Sequence, residues 1–175
     1  MRRLAVFILL IGLVALAGPS ALSGVAQEAS PMAGTSATPA GAIGLTSRVL
    51  ARIEPATAAG QELQLVRVEV APDATVATHT HPGTIALCLE SGSVVFGVGE
   101  GAVTMTRAAT AATPEAAEQL AGNDEAVLEP GDCLTFDASQ TSHTLRNPGG
   151  PAVIWQAQLY EVGQPPTTFL GTPTP

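Results

Sequence analysis

The 175-residue chain contains no lysine, and its seven arginines stand against 15 acidic residues. Arg2 and Arg3 sit at the extreme N-terminus, and every acid lies beyond Ala26, so residues 27–175 carry five arginines and a formal charge of −10. Such a surface repels phosphate backbones and anionic lipid, which excludes nucleic acid as a partner. Aromatic residues number only six, so a core must come from Val, Leu and Ile; at this length those residues suffice for one domain. Two cysteines, Cys88 and Cys133, are too few for a disulfide-dense scaffold, leaving one bridge or two buried thiols.

Long apolar runs are also scarce. The one present, Leu4 to Gly18, follows the basic Arg2-Arg3 pair and is broken by Pro19-Ser20. It is shorter than the ~20 residues that span a bilayer. Gly24-Val25-Ala26 then offers small residues where a signal peptidase reads. Residues 1–26 are therefore expected to be a signal peptide, with a retained membrane anchor as the rival reading. No cysteine near the cleavage point suggests a lipid anchor. The expected product is secreted or extracytoplasmic, including the cell surface, with no stable membrane insertion.

Residues 27–44 are rich in Ala, Ser, Thr, Pro and Gly and read as a flexible linker; residues 163–175, with four prolines, read as a flexible tail. Between them, residues 45–162 alternate apolar and polar in short runs. Gln64, Val66, Val68 and Val70 share one face, with Ala71-Pro72-Asp73 closing the strand. Further runs are Thr75–His81, Ile85–Leu89, Val94–Val98, Ala126–Leu128, Leu134–Phe136, His143–Arg146 and Val153–Leu159. Short strands separated by Gly, Pro and Asp predict an all-β sandwich or barrel. The Ala-rich stretch from Arg107 to Gly122 is the exception: Pro114-Glu115 can open a short helix over Glu115–Leu120. Parity puts Cys88 and Cys133 opposite the apolar faces of their strands. It also puts Trp155 with Val153, Ala157 and Leu159 as core, leaving Gln156 and Gln158 exposed.

The three histidines fall in two places. His79 and His81 are one residue apart on a predicted strand, so both imidazoles share a face about 6.5–7 Å apart along the backbone. His143 lies on another predicted strand. The run His79-Thr80-His81-Pro82-Gly83, followed by Leu87 to Gly92, resembles the first motif of the cupins. Pro130-Gly131-Asp132, the strand Cys133–Phe136 and His143-Thr144-Leu145-Arg146-Asn147 resemble the second. The likeness covers roughly Leu63 to Tyr160. It implies a single jelly-roll barrel, a divalent metal held by His79, His81 and His143, and, as in many members, a homodimer. An edge strand near the N-terminus could pair across two chains. With the two cysteine strands as neighbours in such a barrel, a Cys88–Cys133 bridge is one reading and a pair of buried thiols the other.

Three departures from the family pattern stand out. The glutamate often found four or five residues after the second histidine is replaced by Ile85 and Ala86, and Glu90 lies too far along. The proline before the last histidine is missing around Asp137-Ala138, and the loop to His143 is one residue longer. Three neutral imidazoles suit Fe, Zn, Cu or Ni, and Mn less well because it prefers oxygen donors. Such a site is similar to that of the thiol dioxygenases within the cupin superfamily.

Two functions remain open: a metal-dependent enzyme such as a dioxygenase, isomerase or lyase, and a non-catalytic module that binds metal or a small ligand. An inward polar residue able to act as a general base would favour the enzyme. Only Thr84 and Thr135 are candidates, with no inward Asp, Glu or Tyr evident. Asn147 reads as a turn residue. The sequence shows no serine or cysteine nucleophile arrangement and no phosphate-binding glycine loop.

Overall fold

The computed structural model describes residues 36–37, 41–109 and 116–170, and all its regular elements are strands. In chain order they are β1 (Ser36–Ala37), β2 (Ala42–Ile53), β3 (Gln61–Thr80), β4 (Gly83–Ser91), β5 (Val94–Val98) and β6 (Ala102–Arg107). They continue with β7 (Ala116–Ala121), β8 (Glu125–Leu128), β9 (Cys133–Asp137), β10 (His143–Arg146), β11 (Ala152–Glu161) and β12 (Thr168–Phe169). All pair antiparallel in the order β7-β6-β9-β4-β11-β3-β10-β5-β8, with β2 and β12 also on β3 and β1 on β2.

The long strand β3 makes this sheet a barrel. The sequence expectation ended a strand at Ala71-Pro72-Asp73; instead the chain runs on through a bend with Asp73 at φ 58°. Before the bend β3 pairs with β11 through Gln61–Val70, and after it with β10 through Thr75, Val76 and His79. One strand thus serves both halves of the barrel. Asn147, fully buried, holds the bend: its side-chain amide donates to the carbonyls of Ala71 and Gly150 at 2.9 and 2.8 Å, and its Oδ1 accepts from Gly149. It is the turn residue the sequence suggested.

Inside lies a single core in which Val70, Ile85, Leu89, Val94, Phe96, Val103, Met105, Leu128 and Leu134 are essentially inaccessible. Gly83, in the first motif, is required by close approach: a Cβ there would fall 2.0 Å from the carbonyl oxygen of Leu159 on β11. Cys88 and Cys133 are directly opposed across β4 and β9 on the outer face, and they form a disulfide.

Three sequence expectations are corrected. The helix over Glu115–Leu120 is absent: Ala116–Ala121 is β7, and Glu115 lies outside the described residues. Alanine's helix preference yields to tertiary pairing. Leu120 is buried opposite Val103, Gln119 donates to Thr104 at 2.6 Å, and Arg107 pairs with Glu118. The linker expected over 27–44 already contains β1 and the start of β2, and the tail expected over 163–175 carries β12. The signal-peptide assignment lies outside the described residues. No helix among the described residues is long and apolar enough to cross a membrane.

The third correction concerns β11, whose faces are the reverse of those predicted. Ala152, Ile154, Gln158 and Tyr160 are buried, while Trp155 and Leu159 are only half-buried and Ala157 is exposed. Trp155 therefore lies on the outer face beside Cys88, and the glutamines face the barrel.

Candidate metal centre

The pairing of β3 with β10 sets His143 directly opposite His79, and the two-residue period of β3 brings His81 to the same face. The three side chains converge, with one nitrogen from each lying within 4.8 Å of the others. His79 and His143 are buried and His81 half-buried. The grouping of three that the resemblance implied is therefore present as a spatial cluster.

Their hydrogen bonds fix which nitrogens are available. The Nδ1 atoms of His79, His81 and His143 face the backbone carbonyls of Ala77, Pro166 and Thr141, at 2.8, 2.6 and 3.3 Å. A carbonyl oxygen can only accept, so in each ring Nδ1 carries the proton and Nε2 keeps its lone pair. Burial, and then the neighbouring His79, pushes His81 down to about 4. Burial lowers His79 as well, and burial together with His79 and His81 holds His143 well below the ordinary histidine value. At neutral pH the centre is three neutral imidazoles, each with its tautomer set by a carbonyl behind it. This donor set fits a borderline divalent cation, because no proton must be displaced and the rings are pre-oriented.

The scarce aromatics are concentrated here. Phe96 stacks on His143 at 5.2 Å and Phe136 meets its edge at 5.0 Å. Tyr160 stacks on His81 at 5.6 Å, and Phe169 of β12 lies 5.5 Å from His79. Four of the chain's six aromatic side chains thus wall the histidines. The C-terminal segment, read from sequence as a loose tail, supplies Phe169 and the Pro166 carbonyl to this wall.

The histidines open onto a cavity of about 460 Å³, within the range of small-molecule sites. Much of its lining is aliphatic, including Val66, Val68, Leu87 and Ile154, and no Asp or Glu contributes to it among the described residues. Thr84 and Thr135 are exposed on the outer face and are not placed to serve as bases. Sequence reasoning missed Arg52, Gln64, Gln156, Gln158 and Tyr160, all of which line the cavity. Tyr160 could have been found by continuing the alternation inward from Ile154.

Tyr160 is 4% exposed, and its hydroxyl is the one buried side-chain polar atom without a hydrogen-bond partner among the described residues. Burial raises its pKa far above the ordinary tyrosine value, so the hydroxyl stays protonated. An unpaired buried hydroxyl costs roughly 1–3 kcal/mol. Tyr160→Phe is therefore expected to stabilise the ligand-free protein by about 1 kcal/mol, read as a higher denaturation midpoint. A lower midpoint would show that the hydroxyl is satisfied after all.

No family profile matches the sequence, and no curated protein does. Among solved structures, the chain is similar to a cupin-like protein from Thermotoga maritima, with 17% identity, 81% of this chain and 87% of that one covered, and a TM-score of 0.44. It is similar to the polyketide cyclase RemF from Streptomyces resistomycificus, with 14% identity, 81% and 84% covered, and a TM-score of 0.42. A cupin-2 domain protein from Rhodospirillum rubrum gives 13% identity, 79% and 73% covered, and a TM-score of 0.40. With both motifs folded onto adjoining strands of one antiparallel barrel, around a single cluster of histidines, the chain has the cupin fold.

Proposed function

We propose that this protein is an exported cupin that binds one divalent transition metal through His79, His81 and His143, beside a cavity that receives a small molecule. The observation carrying this reading is the convergence of three imidazole nitrogens within 4.8 Å, each ring tethered through Nδ1. Fe, Zn, Cu and Ni suit these donors, and Mn suits them less. Three protein ligands leave open coordination positions, where a bound metal supplies Lewis-acid or redox chemistry. A dioxygenase or other small-molecule enzyme is the catalytic form of the proposal.

A non-catalytic ligand-binding module is the second reading. It is favoured by the cavity lining, which offers no carboxylate to act as a base. Export is supported by the N-terminal leader pattern and by the disulfide, which persists in oxidising compartments. A homodimer is supported by the outer face of β2, β3 and β11. There Ile53, Leu63 and Leu65 are exposed in register with Leu159 and Ala157.

Elemental analysis of the protein purified without an affinity tag tests the metal, alongside His143→Ala checked for folding by circular dichroism. One equivalent of a transition metal is expected in the parent and none above background in the variant. No metal in the folded parent, even after loading with each candidate ion, would remove the reading. Iron or copper would direct the search to oxygen chemistry, and zinc to hydrolytic, isomerase or structural roles.

A further inference from the structure

The barrel is complete without its last strand. β12 lies off the main strand order and pairs with β3 through two residues, Thr168 opposite Thr80 and Phe169 opposite His79. One further backbone bond, from the Leu170 amide to the Thr78 carbonyl at 2.8 Å, extends that pairing. Releasing β12 therefore cuts no ladder between the other strands. Yet this short segment touches two of the three histidines. The Pro166 carbonyl accepts from His81 Nδ1 at 2.6 Å, and the Phe169 ring lies 5.5 Å from that of His79. Pro166, Thr167 and Phe169 all line the cavity.

The approach to β12 is a stiff arm on a free hinge. Gly163 has φ 84°, in the left-handed region that glycine favours, and no neighbouring atom lies within 4 Å of where its Cβ would stand. Pro165 and Pro166 follow, and each fixes its own φ and lacks an N–H to donate. Residues 161–166, Thr168 and Leu170 are exposed, while Thr167 and Phe169 are half-buried. A segment with so few buried apolar contacts, held by exposed backbone bonds, opens far more readily than the core. Its seat is Phe169: the ring rests against Gly41, immediately before β2, where a Cβ would fall 2.7 Å from it.

We propose that residues 164–170 form a strap over the histidine end of the cavity, which swings about Gly163 to admit a small molecule and reseats through Phe169 on Gly41 and His79. As a route of entry, the strap presupposes that the cavity is a ligand site, but not that a metal is bound there. With the strap seated, the Pro166 carbonyl holds the His81 ring and Phe169 shields His79. With it released, that side of both rings opens to solvent, and His81 loses the carbonyl that orients it.

The test compares the chelator-treated full chain with three variants. Thr80→Cys with Thr168→Cys, oxidised, staples the strap at the opposed pair that alternation turns away from the histidines. Thr80→Ser with Thr168→Ser is its unlinked counterpart, and Phe169→Ala removes the seat. Access is read as the rate at which diethyl pyrocarbonate modifies His79 and His81, located by peptide mass spectrometry. Opening is read as hydrogen exchange at the Leu170 amide. The staple should slow modification roughly tenfold or more against the serine pair. Phe169→Ala should speed both modification and exchange about tenfold over the parent, as expected for losing a half-buried ring. Equal modification of the stapled and serine proteins would place entry elsewhere and overturn the strap. If Phe169→Ala loosens the whole barrel, seen as faster exchange at the core amide of Leu89, the staple comparison decides alone. Zinc and naphthalene titrations of the parent test the metal and the ligand site separately from the strap.

Discussion

Replacing both cysteines, Cys88→Ala with Cys133→Ala, is expected to lower stability by about 4 kcal/mol, the loop-entropy value for a bridge of this span. The sequence separation is 45, and β5, β6, β7 and β8 all lie within the closed loop. In the unfolded chain the bridge removes much of the freedom of that loop. In the folded chain the two residues are already opposed across β4 and β9, so the ladder holds them together without the bridge. Both lie on the outer face, half-buried, and alanine there opens no core cavity. The effect should therefore appear in the denatured-state reference, leaving the fold and the histidine cluster unchanged. Denaturant unfolding of the variant and the oxidised parent measures it. A loss below about 1 kcal/mol would mean that residual structure already confines the loop in the unfolded state.

How far the sequence could be read follows from the same physics. The outward face of the cysteines was legible, and only the resemblance made their strands neighbours: Ile85, Leu87 and Leu89 are strictly apolar, which fixes the opposite parity for Cys88. Leu134 and Phe136 do the same for Cys133. The histidine cluster was legible because a one-residue gap on a strand fixes a shared face, and the second motif places His143 on a neighbouring strand. β2 was not, because its inward set of Leu45, Ser47, Val49 and Arg52 mixes polar with apolar residues and a register shift after Val49 breaks the period. β7 carries so many alanines that local preference pointed to a helix, and only pairing with β6 reveals the strand.

The inverted reading of β11 is the most informative failure. Val153, Trp155 and Leu159 look like a core face, yet they face outward, while Gln156, Gln158 and Tyr160 face the cavity. A strand whose polar set points inward violates the binary pattern, and natural proteins break such rules chiefly at functional sites. The expectation that no tyrosine faces inward fails at the same residues. The polar inner face of β11 and the cluster of histidines thus belong to one cavity, reached by two different lines of argument.

Asp132→Ala should cost about 3 kcal/mol, because it leaves a buried network of donors without their acceptor. Asp132 is 3% exposed, in the Pro130-Gly131-Asp132 turn that delivers β9 to β4. Gly131 permits that turn at φ 93°. The Asp132 carboxylate accepts from the amide of Ala108 at 2.9 Å, from the amide of Glu129 at 3.0 Å, and from Arg107 Nη1 at 2.8 Å. Burial alone would raise its pKa, but the two amides and the guanidinium outweigh burial and hold it below the ordinary value of 3.8. A carboxylate depressed in the folded state contributes stability that is fully present above its unfolded value. That stability is lost as pH falls through the folded one. The gap between parent and Asp132→Asn should therefore be constant from neutral pH down to about 5 and narrow below about 4. Asparagine keeps the shape and one acceptor, so its loss at neutral pH should be smaller than alanine's. Denaturation midpoints of the three proteins across this range decide the matter. A gap that persists undiminished well below pH 4 would mean that packing of the turn, rather than its negative charge, holds β8 and β9 in place.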